Sequence, residues 1–191
     1  MLRRLVVLTV ASTCLAVGAP LTAHAATLNL VDARGDVYRQ TDAGYRPAPA
    51  QRRIDITRTR IRHTNRALVV RTSMLELRRE GRAVGMAMRM RTTKGLYREM
   101  NLDAGPVVGS WRGEVTLTRR NGSVAPCRTA HRVDYAADRM VVRIPRSCLG
   151  NPRGIQTTVV SLFLGGGRFL IDNPHNDKAR INVWTRNIRR G

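Results

Sequence analysis

The chain has 191 residues, 34 of them basic and 13 acidic, for a formal net charge of +21, and only 4% are aromatic. Its length is that of one domain with a core of its own, and a field this positive favours anionic partners over cationic ones. Three cysteines and four histidines lack the paired spacing of a tetrahedral zinc site.

Residues 1–25 read as a secretory signal peptide: Arg3 and Arg4, an apolar run from Leu5 to Val10, and Ala23-His24-Ala25 before the expected cut. The run is too short, and too broken by Ser12, Thr13, Gly18 and Pro20, to cross a bilayer. No transmembrane segment is therefore expected. Ala11 and Thr13 around Cys14 argue against a lipid anchor. Removing Arg3 and Arg4 with the leader takes the net charge from +21 to +19 and leaves residues 26–191 as one secreted domain. Its two cysteines, Cys127 and Cys148, are expected to form a disulfide outside the cell. Apart from Lys94 and Lys178 every basic residue is arginine, a ratio that a GC-rich genome also produces.

Along the mature chain the dominant period is two, the signature of strands. Residues 40–53, with Gly44, Pro47 and Pro49, read as a loop. A strand is predicted over 55–63, where the apolar phase changes from Ile54 and Ile56 to Ile61 and implies a bulge near Thr57 or Arg58. After a turn at 64–66, Leu68, Val70, Thr72 and Met74 alternate with Val69, Arg71 and Ser73 and complete a hairpin. Met86, Met88 and Met90 begin a second hairpin that returns over 96–102. Further strands are predicted over 111–119, 132–135 and 140–144, with one helical turn at 145–149. Residues 155–164 are apolar on both faces from Val159 onward, which implies a central strand. A last strand is expected over 180–188. These elements predict an antiparallel β-sandwich, jelly-roll-like, of eight to ten strands.

The carboxylates break the basic pattern. Asp32 and Asp36 flank Gly35 in DARGDV, and Asp55 opens the next strand. These three can surround a calcium ion, which takes several oxygen ligands from loops. The preferred alternative is that Asp32 and Asp36 make local turns around Gly35. A second oxygen-rich stretch over 172–177 either joins the first in space or stands alone. Met86, Met88 and Met90 have donors suited to Cu(I), but period-two methionines are better read as core filler.

His63, His131 and His175 sit in no HExxH, and no GxSxG, P-loop or dinucleotide fingerprint occurs. A non-enzyme is expected. Trp111, Trp184, Tyr97 and Tyr45 are the candidate stacking platforms for a sugar, with core packing as the alternative for each tryptophan. Arg58, Arg60 and Arg62 point to one side of their strand, with Arg89, Arg91 and Arg71 on others. They suit either an anion-binding stripe or a solvated sheet face with protected edges. Specific nucleic-acid recognition would add stacking aromatics.

The layout of DARGDV, a loop, Asp55-Ile56, a long hairpin and then DYAADRMVVRIPRSCLG resembles secreted bacterial β-sandwich modules of the DOMON and family-nine carbohydrate-binding type. Ile144, Pro145, Ser147 and Leu149 carry the second half of the likeness. The resemblance implies a binding module for sugars or, in some relatives, haem, sometimes with a structural calcium. The expected function is thus a secreted, non-enzymatic module for a glycan or an anionic envelope polymer. The alternative is a structural or interaction protein whose basic surface associates non-specifically with anionic partners.

Overall fold

The alternation becomes two stacked antiparallel sheets in the computed structural model, which describes residues 26–175 and 182–191. The strands are β1 (Ala26–Val31), β2 (Tyr38–Thr41), β3 (Gly44–Pro47), β4 (Ile56–His63), β5 (Ala67–Met74), β6 (Ala83–Thr92) and β7 (Tyr97–Gly105). There follow β8 (Ser110–Arg119), β9 (Ala130–Asp134), β10 (Arg139–Pro145), β11 (Gly154–Gly165), β12 (Arg168–Asp172) and β13 (Ile188–Arg189). The smaller sheet has the order β1-β4-β5-β10-β9 and the larger β3-β2-β12-β11-β6-β7-β8. The short β13 pairs with the end of β11 that β12 leaves free. Among the described residues no helix is long and apolar enough to cross a membrane.

One face of each sheet turns inward and fuses into a single core. From the smaller sheet come Ile61, Leu68, Val70, Met140, Val142 and Ile144; from the larger, Met86, Met88, Met90, Met100 and Leu102, all nearly inaccessible. Burying each such side chain stabilises the fold by about 1.5–3 kcal/mol. The methionines are thus core filler, and Met86 Sδ also accepts a hydrogen bond of 3.3 Å from Thr72 Oγ1 across the sandwich.

The register of β4 on β5 shifts between Ile56 and Arg58, placing the expected bulge at Thr57. β11 lies between β6 and β12, and Thr158, Val159 and Val160 are all buried, so both of its faces are covered there. Cys127 and Cys148 form the expected disulfide, Cα to Cα 5.9 Å, which ties the segment after β8 to the 3-10 turn Arg146–Leu149.

Two expectations need correction. Part of the presumed loop over 40–53 is a hairpin, β2 on β3, closed at Thr41 and Gly44, where Thr41 Oγ1 donates to Gly44 O at 2.8 Å. The expected last strand is reduced to Ile188–Arg189. Residues 182–187 run irregularly beside β11, with Thr185 N–H donating to Thr157 O, while the beginning of that prediction lies outside the described residues.

Candidate functional site: an acidic cluster and two sheet faces

The acidic cluster forms where three chain segments meet between the sheets. Asp32 ends the run after β1, Asp36 follows the turn at Gly35, and Asp172 closes β12. One carboxylate oxygen of each lies within 4.8 Å of the others, inside the roughly 5 Å that separates opposite oxygen ligands of a calcium ion. Asp55, 1% exposed, joins them through the loop, since its Oδ2 accepts the Gly35 N–H at 2.8 Å. Gly35 is needed at this turn. Its φ is +78°, and a Cβ there would lie 3.3 Å from Pro49 O. The residue before Asp55 is strained as well: Ile54 is fully buried and β-branched, yet has φ of 61°. Such a conformation costs about 1–3 kcal/mol. It is held by Ile54 N–H on Glu76 O at 3.1 Å and by Ser161 Oγ on Ile54 O at 2.7 Å.

The electrostatics of the cluster oppose four negative charges. Burial, reinforced by Asp172 and Asp36, pushes Asp32 up to about 8. Burial likewise raises Asp172 to about 8, against the lowering effect of the Ile56 N–H that its Oδ2 accepts at 2.6 Å. Asp36 and Asp55 are raised too, with burial the leading cause in both. Among the described residues no ion pair reaches any of the four. Asp32 Oδ2, Asp36 Oδ1 and Asp55 Oδ1 are buried without a hydrogen-bond donor. Hard oxygen donors that converge, are short of donors and repel each other fit a calcium ion. The local-turn reading accounts for Asp32 Oδ1, which accepts Ala33 N–H at 3.1 Å, but not for the oxygens left over. Of the two alternatives for the second acidic stretch, the structure has it join the first, through Asp172.

The outer face of the larger sheet carries a groove of about 210 Å³. Tyr45 and Phe169 supply its aromatic surface; Arg89, Glu99 and Asn101 supply hydrogen-bonding groups. Arg89 Nε is 3.3 Å from Glu99 Oε1, which also accepts the Tyr97 hydroxyl at 2.8 Å. At the same end of the sheet the Arg91 guanidinium lies 4.4 Å over the Trp184 ring, and Trp184 meets Tyr97 edge-on at 6.4 Å. Two expected platforms, Tyr97 and Trp184, are therefore together. Trp111 is elsewhere, packed on the core and edge-on to Tyr135 at 6.2 Å. Asn101, Phe169 and Glu99 were missed because no local pattern marks them; only the pairing of β7, β6, β11 and β12 gathers them.

The arginines of β4 occupy the opposite side of the molecule. Arg58, Arg60 and Arg62 are exposed and alternate with buried Thr59, Ile61 and His63. No family model matches this chain, and no curated protein or solved structure matches it.

Proposed function

We propose that the protein is a secreted, non-enzymatic binding module that takes a sugar unit in the groove on its larger sheet, with calcium bound by the acidic cluster. The groove carries this reading. A flat ring beside converging carboxylate, amide and guanidinium groups suits a ligand that is apolar on its faces and hydroxylated at its edge. At about 210 Å³ it is smaller than the sites of roughly 300–1,000 Å³ that enclose drug-sized ligands, and so has room for one unit of a longer chain. Calcium on Asp32, Asp36 and Asp172 would tie the β1 side of the sandwich to β12, the strand that brings Phe169 and Ile171 to the groove. The resemblance to carbohydrate-binding modules points the same way.

A glycan array followed by calorimetry tests the proposal. Saturable binding of a neutral sugar is expected, weakened about tenfold by Tyr45→Ala and by Asn101→Ala, with melting temperatures unchanged. Absence of saturable binding, or affinity indifferent to both substitutions, overturns it.

A further inference from the structure

We infer that the outer face of the smaller sheet is a second, independent binding surface, and that its partner is a linear phosphodiester polymer without bases. Strand register places Arg60 directly opposite Arg71, with Arg58 and Arg62 one step to either side; Arg143 lies beyond Val69 on β10. Like charges placed directly opposite each other on a sheet are destabilising. Among the described residues no carboxylate pairs with any of these five. On the same face Asp134 is already engaged by Arg132 at 3.1 Å and Arg139 at 2.8 Å.

Edge protection does not explain the stripe. β4 and β5 are interior strands, flanked by β1 and β10, and have no open edge to defend. On the larger sheet the arginines beside the groove have partners, Arg89 in Glu99 and Arg91 in Gln156 and the Trp184 ring, whereas Arg39 and Arg46, and Arg98 and Arg119, face each other in isolated pairs. What sets the smaller sheet apart is a row of three exposed arginines on one strand, Arg58, Arg60 and Arg62, with Arg71 and Arg143 on the strands beyond.

The geometry of that face selects the partner. Alternate residues of a strand repeat every ~6.8 Å, so Arg58, Arg60 and Arg62 form a straight row of guanidinium forks. Each fork can take two oxygens of one phosphate. A polymer with one phosphate in each extended repeat meets such a row in register. Single-stranded nucleic acid would also call for aromatic platforms, and the strand neighbours of Arg58, Arg60, Arg62, Arg71 and Arg143 on this face, among them Val69, Val141, Ser73, Ala130 and the β1 residues, include no aromatic ring.

The test measures binding of poly(glycerol phosphate) over a salt series, with an oligonucleotide of equal charge and monomeric glycerol phosphate alongside. Two variants lose the same charge: R58Q/R60Q/R71Q on the face, and R112Q/R128Q/R153Q at exposed sites off it. The face variant is expected to bind about tenfold or more weakly, with a log-log salt slope shallower by about 2 for three lost contacts. The control variant should bind nearly as the parent does. Equal losses in the two variants would mean diffuse attraction and overturn the inference, as would an oligonucleotide that binds more tightly than the polymer. Sugar binding in the groove is expected to persist in the face variant, so each reading can fail without the other.

Discussion

Asp32 shows how far a single residue can depart from its surroundings in sequence. In a chain of net charge +21 its carboxylate finds no arginine partner among the described residues, and burial with Asp172 and Asp36 nearby holds it at about 8. Because the charged form is the costly one without a cation, Asp32→Asn is expected to stabilise the calcium-free protein at pH 8. The gain should be at least about 1 kcal/mol, or about 2–4 °C in Tm. Calcium is expected to raise the Tm of the parent, since a ligand of the native state raises the midpoint, and the same substitution is expected to abolish that rise. Paired thermal melts with calcium and with chelator check both outcomes. A D32N protein that melts lower than the parent in chelator would show that Asp32 is held by donors rather than repelled.

At the level of elements, the disulfide is the simplest device to test. Cys148 sits in the turn that follows β10, and Cys127 in the irregular segment between β8 and β9, so the bond fastens a long connection to the end of an interior strand of the smaller sheet. Its sequence separation is 21, for which loop closure is worth about 3 kcal/mol. Reduction, or the C127S/C148S pair, is expected to lower stability by about that amount while leaving the circular dichroism of a sheet protein intact, as urea melts would show. Strands with one face on the core were legible because alternation reports burial directly: β4 and β5 follow their apolar period, down to the bulge at Thr57. The β2-β3 hairpin was not legible, since every residue of β3 is exposed and no inward face leaves a trace in its sequence. Asp32, Asp36 and Asp55 were legible as acids out of place. Asp172 was legible as the start of a second acidic stretch, but not as a neighbour of the first, because it lies 116 residues from its hydrogen-bond partner Ile56 and only the stacking of the sheets unites them.

For the whole molecule, the acidic cluster sets the dependence of stability on pH. Asp32 and Asp172 are held at about 8, above the ordinary carboxylate value of 3.8, so between those limits the native state holds protons that the unfolded chain has released. The contribution of these two carboxyls to stability then falls as pH rises through this window, while buried His63, whose pKa is lowered, acts in the opposite direction near its ordinary range. Calcium-free protein is expected to melt highest near the lower limit and progressively lower toward pH 8, whereas calcium-saturated protein should lose this slope because the ion takes the place of the protons. Melts across this range in chelator and in calcium measure it; a chelated protein whose Tm climbs over the same interval would contradict the cluster's electrostatics. The bonds that join the sheets have one more consequence. Asp172 Oδ2 holds the Ile56 N–H near one end of β4, and at the other end His63 Nδ1 lies 3.1 Å from the Ile188 carbonyl. Both clasps use residues late in the chain, so the two ends of β4 are fastened to the larger sheet only once β12 and β13 are in place.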